Sequence, residues 1–122
     1  LDDYEEGTWT LDNNGDSTGV ISSSVCKYTK VGRLVTCQFV ISVSTAFTNN
    51  SLGGLPFNPA NGAGAASSVH NLVPIRSGAG TYFIQINSGV DTLNVFGDSR
   101  GTSATLTSGN GPYRGAFTYQ TA

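Results

Sequence analysis

The chain has 122 residues, a length that suits one domain with a single hydrophobic core. Only 11% of the residues are charged, whereas glycine, serine, threonine and asparagine together supply 54 positions. Strong helix formers are scarce, so the composition excludes a mainly helical protein and a coiled coil. The net charge of −2 argues against nucleic acid as a partner, and no apolar run is long enough for membrane insertion.

The charged residues are distributed unevenly. Six of the eight acidic residues lie in the first sixteen positions, and all six basic residues follow residue 26. We interpret residues 1–18 as an acidic lead-in that contains the first strand, and residues 19–122 as the β-rich body of the same domain. The chain has no methionine, so we expect a processed product or an excised domain.

Short segments of alternating apolar and polar residues follow one another along the chain, separated by Gly, Asn, Asp and Ser clusters. Their spacing of roughly 8–12 residues is typical of an all-β, antiparallel β-sandwich, and we predict a jelly-roll-like arrangement without significant helix. The eight predicted strands are Gly7–Leu11, Gly19–Val31, Arg33–Ser44, Ser67–Ile75, Thr81–Asn87, Thr92–Phe96, Ala104–Thr107 and Tyr113–Thr121.

The third predicted strand has the clearest alternation. One face is predicted to belong to the core, because every second residue on it is apolar. The other face carries Leu34 and Val40 beside polar residues, which predicts partial burial against a second surface. The predicted core positions are Val35, Cys37, Phe39, Ile41 and Val43.

A hairpin between the second and third strands brings both cysteines to one face. A two-residue turn at Val31–Gly32 sets Cys26 opposite Cys37. A four-residue loop that also ends at Gly32 sets Cys26 opposite Val35 instead. A three-residue loop would set Lys27 against Val35 on the apolar side, and the hydrophobic pattern argues against it. We expect a structural role for the cysteines and favour two buried thiols over a disulfide.

Signals for catalysis are weak. A Ser-His-Asp triad would have to use His70, with Asp91 or Asp98 as its carboxylate, but the chain has no G-x-S-x-G motif. We therefore predict a protein that is not an enzyme and has no cofactor.

One loop repeats oxygen ligands at every second position. Asp12, Asn14 and Asp16 have a spacing with which a loop can wrap a calcium ion. An EF-hand would also need Gly at its sixth position and Glu at its twelfth, where this chain has Ser17 and Ser23. A turn with Asn and Gly at positive φ is therefore favoured over a metal site.

Three segments go beyond composition: LDDYEEGTWT at 1–10, YTKVGRLV at 28–35 and GLPF at 54–57. In this order and spacing they resemble a domain found toward the C-terminal ends of bacteriophage tail fibre and tailspike proteins. They cover about the first half of the chain, and Leu11 stands where that family is expected to have proline.

The resemblance implies a homotrimer at the distal end of a virion fibre, where the domain contacts the host surface or supports assembly. Three functions follow as hypotheses: binding of a host polysaccharide or lipopolysaccharide, purely structural trimerisation, and hydrolysis of a polysaccharide. The resemblance supplies no catalytic residues. A surface rich in Ser, Thr, Asn and Gly suits both subunit packing and recognition of polar sugars.

A sugar site needs an aromatic face and fixed polar groups, and the late loops contain both. Trp9, in contrast, is expected to anchor the first strand or the trimer interface rather than a glycan. The predicted glycan-binding residues are Asp98, Arg100, Asn110, Tyr113 and Arg114.

Overall fold

The structure, a computed structural model, describes residues 3–59, 73–78, 80–87, 90–98, 102–108 and 112–121. Within these ranges the chain is all-β and contains no helix, as the composition predicts. In chain order the strands are β1 (Tyr4–Thr8), β2 (Val20–Val31), β3 (Leu34–Thr45), β4 (Ser51–Leu52), β5 (Val73–Ser77), β6 (Gly80–Ile86), β7 (Leu93–Phe96) and β8 (Tyr113–Gln120).

The strands form one antiparallel sheet in the order β1-β2-β3-β8-β5-β6-β7-β4. The sheet curls, so that the inner faces of distant strands meet in one hydrophobic core. Asp12, after β1, and Gly53, after β4, each donate an N–H to the other's carbonyl oxygen, at 3.0 and 3.1 Å. This bridge joins the chain beyond the two outermost strands and closes one corner of the sheet. The predicted all-β class is confirmed, whereas the division into two layers of a sandwich or jelly roll is not.

The first strand lies earlier than the sequence predicts. The alternation indicates Gly7–Leu11, but β1 begins at Tyr4 because β2 continues to Val31 and provides a partner there. After Trp9 the chain leaves β2 and turns toward Gly53. Part of the acidic lead-in is therefore a paired strand.

The predicted strand Ala104–Thr107 is wrong. The N–H of Ala104 donates to the carbonyl of Val95 at 3.2 Å, whereas the carbonyl of Leu106 accepts from Phe47 at 2.9 Å. Because the backbone bonds go to two different neighbours, no regular ladder forms. The apolar alternation still serves packing, since Leu106 is buried.

The centre of the chain differs from the prediction in two further respects. The two-residue strand β4 was not predicted, and it pairs with β7. The predicted strand Ser67–Ile75 is described only from Val73, where β5 begins. His70 lies outside the described residues.

The β2–β3 hairpin turns through Gly32–Arg33. Gly32 has a φ of +59°, which suits the first position of a two-residue hairpin loop. Both predicted registers are wrong, because Cys26 lies opposite Phe39. The predicted partners of Cys26 differ from the observed one by an even number of residues along β3. The two cysteines therefore share one face, as predicted, and both point into the core.

The alternation of β3 is confirmed. Every predicted core position on this strand is at most 8% exposed. The opposite face behaves differently from the prediction, since Leu34 and Val40 are 48% and 42% exposed in the single subunit. No part of the described chain forms a second surface over them.

Candidate functional site

The described parts of the three segments 1–10, 28–35 and 54–57 lie side by side. The first segment forms β1, where Tyr4 is opposite Val31 and Gly7 is opposite Tyr28 of the second. The third segment reaches the same place, because the rings of Tyr28 and Phe57 meet edge to face with centroids 5.3 Å apart. These residues form one unit, the motif cluster, which we define as residues 4–10, 28–34 and 54–57.

Tyr28 lies at the centre of the motif cluster. Its hydroxyl donates to Glu5 Oε1 at 2.9 Å, and its ring covers Gly7, where an added Cβ would lie 2.6 Å from the ring. The hydrogen bond to the carboxylate raises the pKa of Tyr28, and burial and the charge of Glu5 act in the same direction. Lys30 Nζ lies 5.4 Å from the ring centroid of Phe57, within cation–π range.

The outer face of β1, β2, β3 and β8, opposite the core, carries exposed apolar side chains in two rows that run across the strands. In the first apolar row Tyr4, Val31 and Leu34 are neighbours and are 49%, 47% and 48% exposed. In the second apolar row Val25 and Val40 lie opposite each other and are 61% and 42% exposed. Because isolated exposed apolar residues are common but contiguous ones are not, this face is a candidate contact surface.

A polar groove of about 380 Å³ lies between the two apolar rows. Its walls present hydroxyl, amide, ammonium and carboxylate groups, and β8 continues the polar band with Thr118, whose hydroxyl is 3.3 Å from that of Thr36. These polar groups suit hydrogen bonding to a hydroxyl-rich ligand or to polar groups of a partner. The side chains along the groove belong to Glu6, Thr8, Lys27, Thr29, Thr36 and Gln38.

Tyr113, one of the predicted glycan-binding residues, is fully buried. Its hydroxyl accepts a hydrogen bond from the N–H of Thr107 at 3.0 Å, and its ring packs edge to face on Tyr82 with centroids 5.6 Å apart. The residue begins β8 on the inner face, where apolar packing determines its position. A sugar therefore has no access to this ring in the folded subunit.

The other predicted glycan-binding residues are spread over different parts of the chain. Asp98 follows β7, where its Oδ1 accepts from the N–H of Thr102 at 3.1 Å. Arg114 is exposed on the outer face of β8, next to Val40. Arg100 and Asn110 lie outside the described residues, and the set as a whole remains a prediction.

Asp16, a residue of the disfavoured calcium-site alternative, is surrounded by hydrogen-bond donors. Its buried carboxylate accepts from the N–H groups of Thr18, Gly19, Thr48 and Asn49 at 2.7–2.9 Å. Burial raises the pKa of Asp16, but the four donors outweigh it and hold the pKa well below its usual range. Donors occupy the positions that a cation would need, so this carboxylate is structural.

The rest of this loop is a turn, as the favoured hypothesis predicts. Asn14 and Gly15 have φ values of +49° and +79°, and the N–H of Asp16 donates to the carbonyl of Asn13 at 2.9 Å. Asp12 Oδ1 accepts from the N–H of Asn14 at 2.9 Å. Among the described residues, no group of three or more His, Cys, Asp and Glu side chains is arranged to hold a metal ion.

Trp9 anchors the end of β1 in the core, the first of its two expected roles. It is 8% exposed, its Nε1 donates to the carbonyl of Lys27 at 3.0 Å, and its ring meets Phe117 edge to face. The cysteines are buried thiols, as predicted, and burial raises the pKa of Cys37 to about 12 and also raises the pKa of Cys26. Their environment suits packing rather than nucleophilic chemistry.

Two parts of this surface were not predicted from the sequence. Val25 and Val31 gave no separate signal, although the alternation of β3 identified their neighbours Leu34 and Val40. Arg76, which lies opposite Arg114, was missed because β5 and β8 become neighbours only through the topology of the sheet.

Comparisons with protein-family models, curated proteins and solved structures found no significant match. In the part of the chain that the structure describes, no helix has the length and apolarity needed to cross a membrane.

Proposed function

We propose that this chain is the distal domain of a bacteriophage tail fibre or tailspike. In this proposal the domain is part of the virion, assembles as a homotrimer, and binds a host cell-surface polysaccharide or lipopolysaccharide during adsorption. Its role is recognition rather than catalysis.

The observation that carries the proposal is the outer face of β1, β2 and β3. Its apolar side chains are 42–61% exposed, and among the other large apolar side chains of the described residues only Val20 and Val90 are classed as exposed. From strand spacing and rise, the face of these three strands measures on the order of 500 Å², comparable with the ~800 Å² that each partner buries in a typical specific interface. Both apolar rows lie on these three strands, so burial against identical copies would remove them from water and leave β8 and β5 at the border of the interface.

The motif cluster supports the same proposal. The three segments that resemble the phage family are distant in sequence, yet Tyr28 contacts both of the others through Glu5 and Phe57. Segments that depend on each other for packing are expected to occur together in a family. The low charge of the chain, at 11%, leaves few long side chains to be immobilised when copies or sugars make contact.

A second candidate function, a trimerisation module that recognises nothing, is favoured by the apolar rows alone. Two measurements on the purified chain separate the two. Multi-angle light scattering measures the oligomeric state, and an array of purified bacterial capsular polysaccharides and lipopolysaccharides measures recognition. We expect three times the 12.6 kDa subunit mass and retention of at least one surface polysaccharide.

The other outcomes are informative. Trimers that bind no polysaccharide and do not adsorb to bacterial cells would favour the assembly module. A stable 12.6 kDa monomer at micromolar concentration would contradict both candidates. Release of reducing sugar from a bound polysaccharide would instead indicate a hydrolase, and its loss in a His70→Ala or Asp98→Ala variant would identify the chemistry.

A further inference from the structure

Two arginines face each other on the outer surface of the sheet. Arg76 of β5 and Arg114 of β8 are direct cross-strand partners, and both side chains are exposed. Like charges at directly opposite positions destabilise a sheet unless something neutralises them. This pair holds two of the six basic residues of the chain.

No acidic side chain in the described part of the subunit neutralises the two arginines. The cross-strand neighbours of the pair are Val40 on β3 and Thr81 on β6, neither of which is acidic. Neither guanidinium forms an ion pair with a carboxylate of the described residues, which include every acidic residue except Asp2. The acidic β1 lies at the edge of the sheet, four strands from β5.

The arginine pair borders an open groove of about 660 Å³, within the size range of small-ligand sites. Beside the guanidinium groups the groove presents the hydroxyl of Thr81 and the apolar ring of Pro74. β5 approaches β8 closely here, because position 115 is glycine and a Cβ there would lie 2.7 Å from Ile75 Cγ2. The close approach fixes the spacing of the two arginine stems.

We propose that Arg76 and Arg114 together bind the anionic group of an acidic cell-surface polysaccharide. A guanidinium presents two parallel N–H donors that match two oxygens of a carboxylate or phosphate. Two guanidinium groups side by side supply two such pairs of donors. Thr81 then reaches a sugar hydroxyl, and Pro74 packs against an apolar edge of the ring. This inference rests on the proposed function and names the polysaccharide class.

The test compares variants on the same polysaccharide array, which includes neutral, uronate-containing and phosphorylated members. We expect the wild-type chain to retain acidic members, and the Arg76→Gln and Arg114→Gln variants each to lose about tenfold in affinity. The double variant Arg76→Lys/Arg114→Lys keeps both positive charges but lacks the parallel N–H donors of the guanidinium groups. We therefore expect it to bind acidic polysaccharides several-fold more weakly than wild type. Retention of uronates alone or of phosphorylated members alone identifies the anion.

Lys30→Gln is the matched control, because it also removes one positive charge but lines neither groove of the outer face. Its affinity should stay within about twofold of wild type. Circular dichroism and light scattering of each variant verify fold and oligomeric state.

Three results would overturn the inference. Retention of neutral polysaccharides alone, or equal losses in Lys30→Gln and the arginine variants, would contradict it while leaving the proposed function intact. Dissociation of the oligomer in the arginine variants, without loss of polysaccharide affinity per subunit, would assign the pair to the interface between copies. If the wild-type chain binds no polysaccharide, the proposed function is contradicted. Titration with sodium galacturonate and inorganic phosphate then tests separately whether the arginine pair binds anions, and no binding of either would contradict this inference as well.

Discussion

Gly54 lies directly against the carbonyl oxygen of Thr10, so that a Cβ built at Gly54 would be 1.9 Å from that oxygen. Gly54 also has a φ of +94°, in the region that favours glycine. The two residues belong to the third and first segments of the motif cluster. Glycine is therefore required at position 54 both by backbone conformation and by space.

We predict that Gly54→Ala destabilises the fold by about 3 kcal/mol, because it adds backbone strain to a steric clash with main-chain atoms. The melting temperature should fall by roughly 10 °C in differential scanning calorimetry. Gly97→Ala is the control, since its nearest neighbour would be Ala104 Cβ at an ordinary 3.5 Å. Equal melting temperatures for the two variants would contradict this explanation.

Asp16→Asn is predicted to be far more destabilising at neutral pH than Asp12→Asn. The Asp16 carboxylate accepts four backbone N–H bonds, whereas exposed Asp12 accepts one such bond, from Asn14. Because the pKa of Asp16 is lower in the folded than in the unfolded chain, its contribution is fully present above pH ~4 and declines as the pH falls below that value. The gap between wild type and Asp16→Asn in thermal melts should therefore narrow in acid. A gap that is constant from pH 7 to pH 2 would contradict the role of the ionised carboxylate.

Calcium should leave the stability unchanged. The oxygens of Asp16 already accept N–H donors, and the turn at Asn14 and Gly15 is formed by the backbone itself. We expect equal melting temperatures, within about 1 °C, in millimolar calcium and in excess chelator. A rise with calcium would restore the metal hypothesis for this loop.

Leu34→Glu and Val25→Glu are predicted to weaken the oligomer without unfolding the subunit. Both side chains are about half exposed or more in the single chain, so a carboxylate is tolerated there but becomes desolvated between copies. Sedimentation velocity should reveal dissociation constants raised by roughly tenfold or more. Val90→Glu is the matched control, because Val90 is 48% exposed outside the strands. Equal effects of all three variants would remove the outer face as the interface.

Both thiols should react slowly in the native chain and fully in denaturant without reductant. Burial raises the pKa of Cys37 to about 12 and raises that of Cys26, so little reactive thiolate forms near pH 8. Colorimetric thiol titration should detect two thiols per denatured chain, with native rates lower by on the order of a hundredfold. Since the folded-state pKa is raised, the buried thiols stabilise the fold below the ordinary thiol pKa, and this contribution declines as the pH rises above it. Fewer than two thiols in denaturant would indicate a bridge.

The sequence by itself determined the features that depend on local geometry. Scarce helix formers and a period of two residues predicted an all-β chain, and the alternation in β3 identified its core face. The turn at Asn14 and Gly15 was predictable because those residues tolerate positive φ. The same face for Cys26 and Cys37 was predictable because face depends only on whether the register shift is odd or even.

Only the tertiary structure decided which distant segments meet. The register of the β2–β3 hairpin differs from both predictions by an even number of residues, and every such register has the same hydrophobic pattern. The carboxylate of Asp16 accepts hydrogen bonds from the N–H groups of Thr48 and Asn49, and Arg76 lies opposite Arg114. Both arrangements arise because the curled sheet brings separate parts of the chain together. Periodicity records which side of a strand faces the core, whereas the choice of neighbouring strand depends on the packing of the whole sheet.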